Sequence, residues 1–402
     1  MSWGPDNLSA VTSLRPLPVA PGPSAVDALP ALRQALEGGP AALPHASVSP
    51  PPPVPAGAEV EEGTALVVGT SGSTGTPKLA MLSAAALRAS ADATHERLGG
   101  PGSWLLAMPP HHIAGIQVLL RCVAAGTHPQ FVDLSGGFTP AAFVAAASAA
   151  LPTSRNPSAR RYTSLVPTQL LRLLGDAPAT EALSHFDGVL VGGAATSPGL
   201  LARAHDSGVH VVTSYGMSET CGGCVYDGTP LSGTRIRSDA DSRLYLGGRS
   251  LATGYLGRPD LTAVAFGTDP SGQRWFRTDD SGHRGDDGRW HVDGRLDDLI
   301  TTGGLKVAPR LVEEAITQTL HEVAEAVVVG TPDPEWGQAV AAAVVLRPGA
   351  RPPTVAALRS RLYGILPDHA RPRRLVVLDA LPLRGPGKPD RRQVAGFFTT
   401  QP

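Results

Sequence analysis

Lysine is nearly missing from this chain of 402 residues: of its 34 basic residues, only Lys78, Lys306 and Lys388 are lysine and the other 31 are arginine. Cysteine is scarce and odd in number (Cys122, Cys221, Cys224), which excludes a disulfide framework and argues for a reducing compartment. Cys221 and Cys224 form a C-x-x-C, but no second pair or H-x-x-x-H completes a zinc site, so they read as small, partly buried residues. Net charge is −1, so no overall field draws the chain to nucleic acid or anionic membranes. The two terminal thirds hold no basic tract interleaved with aromatics, which argues against nucleic-acid binding. The most apolar stretch, AAFVAAASAAL at 141–151, is too short to span a bilayer. The first residues lack a basic segment leading into an apolar run, so no secretory signal is expected. These absences point to a cytoplasmic protein without membrane insertion and leave homodimerisation open.

What remains suits a soluble protein of two or three domains. The three lysines all fall in glycine- or proline-rich loops: TSGSTGTPK (70–78), TGGLK (302–306) and LPLRGPGK (381–388). A compact ammonium on a flexible stem reaches a phosphate or carboxylate oxygen as a point charge, whereas a planar guanidinium differs in geometry and reach. In a composition this biased, lysine survives where arginine cannot replace it.

Along the chain, a helix is expected near residues 26–36. The proline-rich stretch 40–57 reads as a linker or surface loop. TALVV (64–68), SWLLAM (103–108), GVLVGG (188–193) and VHVVTSYG (209–216) read as strands. Ser83 caps a helix that Gly99 and Gly100 stop, IAGIQVLLRCVAAG (113–126) is a helix closed by Gly126, and Thr139 with Pro140 starts another. Strands alternating with helices argue for a largely parallel α/β sheet, in which ligands collect at the carboxyl ends of the strands. Beyond about residue 240 the pattern changes to hairpins, with a turn at Asp287-Gly288, and then to a small α+β domain. The expected fold is therefore α/β: a large N-terminal domain of layered sheets and helices (1–296), truncated at its start, and a small mobile α+β domain (297–402).

TSGSTGTPK follows a strand. Its backbone N–H groups and the hydroxyls of Thr70, Ser71, Ser73 and Thr74, with Gly72 among them and Gly75 after them, can wrap a polyphosphate to which Lys78 adds charge. It is not a Walker A loop, because Pro77 precedes the lysine, Leu79 follows it, and the helix begins several residues later. Glu219, in the SYGMSET segment, has the chemistry to hold the Mg²⁺ of a bound nucleotide, with a solvated loop glutamate as the competing reading. The Arg277–Asp280 and Gly294–Asp298 segments supply paired acids and arginines, among which an aspartate can grip both hydroxyls of a ribose. Their spacing lacks the EF-hand calcium pattern.

Together these loops resemble the acyl-CoA synthetase branch of the adenylate-forming enzymes over about residues 64–395, with at least six motifs in order. The resemblance implies that TSGSTGTPK is the phosphate loop and that MPPHHIAG (108–115) is the acyl-pocket motif with His112. It makes Gly192, Gly193 and Ala194 the adenine-flanking segment, with Gly193 also lining the acyl side. SYGMSET then supplies Tyr215, Gly216, Ser218 and Thr220 around the nucleotide and Glu219 on Mg²⁺. In the same way Asp280 and Arg295 fall on the ribose, Asp297 on the hinge, Gly303, Gly304 and Lys306 on the loop facing coenzyme A, and Lys388 on the catalytic lysine. Asp279 departs from the glycine usual before the ribose aspartate, and the region before the phosphate loop is shorter than is typical.

Arg121 lies nine positions after His112 on an otherwise apolar helix, where an unpaired charge is costly. A substrate with a second carboxylate needs such a cation, and an arginine snorkelling to the surface is the alternative. The implied activity is ATP-dependent ligation of an acid to coenzyme A. Its rivals are a ligase of the same family acting on another aryl or fatty acid, an enzyme stopping at the adenylate or loading a carrier protein, and a nucleotide sensor without catalysis.

Overall fold

The computed structural model describes residues 11–70, 78–149, 160–383 and 388–399. Two compact units divide the chain: residues 1–193, 203–237 and 245–277 form the first, and residues 194–202, 238–244 and 278–402 the second.

In the first unit, four strands build one sheet: β1 (Leu14–Val19), β2 (Ala41–Ala46), β3 (Thr64–Gly69) and β4 (Leu79–Ser83). β1 runs parallel to β2 and β2 to β3, whereas β3 and β4 are antiparallel, and the short strand Gly254–Tyr255 closes the far side of β4. The strand β2 corrects one expectation, since it lies inside the proline-rich 40–57 stretch. Its first five residues are buried. Pro44 stands opposite Leu17 in the parallel β1–β2 ladder and lies past the single Ala42–Leu66 pair that joins β2 to β3. The helix expected at 26–36 forms in two parts, a 3₁₀ segment Gly22–Ala28 and then α1 (Leu29–Leu36).

The second sheet is the parallel one the alternation predicted. It holds β5 (Gly102–Leu106), β6 (Gln130–Phe131), β7 (Arg160–Leu165), β8 (Gly188–Gly192), β9 (Val211–Met217), β10 (Gly222–Tyr226) and β11 (Thr229–Pro230), in the order β11-β10-β9-β8-β7-β5-β6. From β6 to β9 every pairing is parallel, while β10 and β11 add an antiparallel edge. Two helices pack in the same core. In α2 (Ala84–Arg97), Ser83 Oγ accepts from the Ala86 N–H at 3.1 Å as N-cap. In α3 (Ile113–Ala125), the left-handed Gly126 (φ 65°) closes the helix. Trp104, Leu119, Leu120, Tyr162, Leu190 and Tyr226 belong to the shared apolar core. Three glycines mark places where backbones touch. A Cβ on Gly115 would run into the Pro109 carbonyl, one on Gly192 into that of Ser214, and one on Gly216 into that of Gly222.

In the second unit, the outer part of the strand Arg274–Arg284 pairs with Trp290–Arg295 across the Asp287-Gly288 turn. A three-stranded sheet follows, with Val323–Asp333 antiparallel to Gly337–Leu346 and Arg374–Val377 parallel to the latter. The helix Pro309–Thr319 adds Val312 and Ile316 to this unit's own core.

Candidate active site

In the first unit, the strand ends bring together residues the sequence spreads over almost two hundred positions. The phosphate-loop candidates begin at Thr70, whose N–H donates to the Lys78 carbonyl at 2.8 Å and so pins the two ends of that segment. Ser71, Gly72, Ser73, Thr74 and Gly75 lie outside the described residues. Lys78 places its Nζ 5.3 Å from the centre of the Tyr255 ring. The Tyr255 hydroxyl donates to Glu219 Oε1 at 2.8 Å. Ser218 Oγ reaches back to the Gly69 carbonyl at 3.4 Å, at the end of β3. Tyr255 therefore joins the lysine to the carboxylate, although the sequence had not singled it out. The only hint was its position in a chain with six tyrosines, just after a threonine-glycine pair. Its role depends on Gly254–Tyr255 pairing with Ala80 and Met81 of β4.

Glu219 sits in a short 3₁₀ turn, Ser218–Thr220, between β9 and β10, and is 7% exposed. Its carbonyl accepts from the Ala252 N–H at 2.8 Å. Thr220 Oγ1 donates to the Gly222 carbonyl at 2.7 Å and accepts from the Met217 N–H at 3.0 Å. Cys221 ends the turn in the left-handed region (φ 54°), which costs a non-glycine residue about 1–3 kcal/mol. Tyr215 and Gly216 precede the turn on β9, and Gly192 and Gly193 (φ 80°) end the neighbouring β8. Ala194 is the first residue of a segment that belongs to the second unit.

The donor set suits a hard divalent cation. Mg²⁺ takes oxygen ligands, commonly one or two carboxylates plus substrate phosphates. Glu219 offers one buried carboxylate, already oriented by Tyr255. Among the described residues no cluster of three or more histidines, cysteines or acids forms a cage made of protein alone.

His112, expected on the acyl side, is the exposed N-cap residue of α3, with its ring 4.3 Å from that of His111. Burial, helped by His112 and His45, lowers His111 to about 4. Arg121, two and a half turns along α3, is 3% exposed. Its guanidinium lies 4.8 Å from the Trp104 ring centre and donates to Tyr226 Oη at 3.3 Å. No carboxylate pairs with it among the described residues, and its Nε has no partner there. The surface-snorkelling alternative is thus set aside, because the charge is inside.

In the second unit, Arg295 gathers the acids. Its Nε and one terminal nitrogen grip Asp297 at 2.7 and 2.8 Å, and another nitrogen lies 3.6 Å from Asp280. Asp280 and Arg295 are direct partners across the hairpin. These acids, Asp297 foremost, raise Arg295 above its usual range. Asp279, where a glycine was expected, takes a second arginine, Arg243, at 3.1 Å. Gly303 and Gly304 both adopt positive φ (56° and 77°), and a Cβ on Gly303 would crowd the Trp336 ring. Lys306 and Lys388 are both exposed.

The sequence pattern of the AMP-binding enzymes matches residues 17–253, and that of the AMP-binding enzyme C-terminal domain matches residues 312–388. The chain belongs to the AMP-binding enzyme family. Its fold is that of this family: an α/β body followed by the family's C-terminal domain. Among curated family members, the "Probable 2-succinylbenzoate–CoA ligase" of Mycobacterium tuberculosis is 46% identical over 392 residues, 96% of this chain and 98% of the relative. Among solved family members, o-succinylbenzoate CoA synthetase from Bacillus subtilis, in complex with its acyl-adenylate intermediate, superposes with a TM-score of 0.68 at 27% identity, over 82% of this chain and 69% of that one. The same enzyme is also solved with ATP and a magnesium ion. ATP-bound MatB from Rhodopseudomonas palustris (TM-score 0.79, 22% identity, 97% of this chain and 90% of that one) shares the fold. Among the described residues no helix is long and apolar enough to cross a membrane.

Proposed function

We propose that this family member is an AMP-forming acid–thiol ligase that converts 2-succinylbenzoate, ATP and coenzyme A to 2-succinylbenzoyl-CoA, AMP and pyrophosphate, the ligation step of menaquinone biosynthesis. The observation that carries the reading is the join of Lys78, Tyr255 and Glu219 at the strand ends. It sets an ammonium for phosphate and a held carboxylate for its metal side by side. The substrate assignment is supported by the 46% identical relative across nearly the whole chain, and by a buried cation, Arg121, that has no acid of its own among the described residues.

In the first half-reaction, a substrate carboxylate oxygen bonds to the α-phosphorus of ATP and the bond to the β-phosphate oxygen breaks, giving acyl-adenylate and pyrophosphate. No protein nucleophile is needed, so positioning and charge neutralisation supply the acceleration. Lys388 bridges the substrate carboxylate and the α-phosphate, while Lys78 and the Thr70–Gly75 segment hold the leaving pyrophosphate. Glu219 would hold Mg²⁺, which neutralises charge on the phosphates when bound. Tyr215, Gly216, Ser218, Thr220 and Gly192–Ala194 frame the adenine, and Asp280 and Arg295 the ribose. His112 and Gly193 line the acyl side, and Arg121 receives the second carboxylate. In the second half-reaction, the thiol sulfur of coenzyme A bonds to the acyl carbon and AMP leaves. Asp297 is the pivot at which the C-terminal domain turns between the steps, exchanging Lys388 for Gly303, Gly304 and Lys306.

The test is pyrophosphate release from a panel of acids, with and without coenzyme A. Release is expected to be fastest with 2-succinylbenzoate, and a faster reaction with benzoate or a fatty acid would overturn the substrate assignment. Lys388→Ala should abolish adenylation yet spare thiol attack on preformed adenylate. Equal loss of both steps would overturn the two-step division of labour.

A further inference from the structure

The turn that presents Glu219 is held from behind. The Cys221 carbonyl accepts two buried side-chain hydrogen bonds, from Ser90 Oγ of α2 at 3.1 Å and from Gln117 Nε2 of α3 at 2.6 Å. Ser90 is 3% and Gln117 1% exposed. Gln117 Oε1 has no partner among the described residues. A half-satisfied amide in a dry core is costly, so an apolar residue would serve packing better. Among the described residues the amide's one made bond is the contact with Cys221. That residue carries the unfavourable left-handed backbone on which the turn closes, with its N–H donating to the Ser218 carbonyl at 3.1 Å. Gly222, next in line, lets the Gln117 side chain approach: a Cβ there would stand 3.3 Å from Gln117 Cγ.

We infer that Gln117 and Ser90 are positioning residues that fix the left-handed turn at Cys221 and thereby aim the Glu219 carboxylate at its metal. Gln117 is five residues along the helix that begins after His112, so one helix serves both the acyl side and the metal carboxylate. The inference deepens the proposed function and rests on Glu219 holding Mg²⁺.

Gln117→Met and Ser90→Ala each delete one of the two donors, and the double variant leaves the carbonyl bare. Each single variant should raise the Mg²⁺ concentration giving half-maximal pyrophosphate release about tenfold, and the double variant more. Electron paramagnetic resonance titration of Mn²⁺ with a non-hydrolysable ATP analogue should show the same weakening without turnover. Metal-free ATP affinity by calorimetry should stay at the wild-type value, a separation that a general packing defect would not produce. Folded variants with unshifted Mg²⁺ and Mn²⁺ curves would overturn the inference. Should Gln117→Met fail to fold, Ser90→Ala, the smaller deletion, carries the test by itself. A wild-type protein that releases no pyrophosphate with any acid would instead overturn the functional reading, while the Mn²⁺ titration still decides the clamp.

Discussion

Replacing Arg121 by methionine should separate two roles that arginines usually combine. The guanidinium gains about 2 kcal/mol from the Trp104 face when desolvated, and about 1.5–3 kcal/mol from its bond to Tyr226. Against this stands an effective penalty of several kcal/mol for a buried ion, which no carboxylate offsets among the described residues. Tyr226 keeps Thr94 as a partner at 3.1 Å, so the substitution orphans no hydroxyl. Methionine fills a similar volume, and exchanges of buried charges for apolar groups are often neutral or stabilising by about 1–4 kcal/mol. The melting temperature should therefore hold or rise, by about 2–4 °C per kcal/mol for a unit of this size. The acid, by contrast, loses a charge-assisted bond worth about 1.5–3 kcal/mol, so its KM should rise roughly 10- to 150-fold. The KM for ATP should not move. Coupled pyrophosphate release measures both constants, and scanning fluorimetry gives the melting temperature. The decisive control is an aromatic acid lacking the second carboxylate, whose KM should be the same in both proteins. If both acids weaken equally while the melting temperature falls, Arg121 is a structural cation and the reasoning is wrong.

Tyr255→Phe keeps the ring under Lys78 and removes only the hydroxyl bonded to Glu219. A hydrogen bond to a charged group is worth about 1.5–3 kcal/mol, so the Mg²⁺ requirement should rise roughly tenfold or more, and an unchanged metal titration would refute the join. Burial lowers His95 to about 4 from its usual 6.5, with Arg121 adding to the effect. Between those values the unfolded chain binds the proton that the folded chain refuses, so stability rises with pH across that window and is lost as pH falls through it. Urea midpoints at pH 4 to 7 should show this slope, and His95→Gln should lessen it while His111, lowered to the same range, keeps its own share; a flat wild-type profile would count against the buried placement. Burial raises Cys122 to about 11 and Cys224 to about 12 and drives Cys221 upward as well, so no thiol should react with a disulfide reagent at pH 8 until the protein unfolds. Rapid labelling of the native protein would contradict that.

Much of the fold could be read before any coordinates, because glycine, proline and capping residues act locally. Ser83 starts its helix, Gly126 ends the next, and the four apolar runs at 64–68, 103–108, 188–193 and 209–216 each hold a strand. The strand at 41–46 stayed hidden because proline signals a break, and only its pairing with β1, in which Pro44 stands opposite Leu17, shows the strand. The candidate site divides similarly. Loop lysines and Glu219 stand out by type and company. Tyr255 does not, since its value comes from a strand pairing with residues more than 170 positions earlier. Gln117 and Ser90 look like ordinary helix residues until the Cys221 carbonyl is seen between them.

The backbone crossings at Gly115, Gly192 and Gly216 bear on how any saturation mutagenesis of this protein should be interpreted. At those positions even alanine would have to displace a main-chain carbonyl, so every replacement should fail whatever its polarity or charge. Lys388 is exposed, and its replacements should fail only in a screen that reads turnover. A map of abundance set against a map of activity would then pull apart seams of the framework from groups that meet the reactants, and a single fitness score would blur them together.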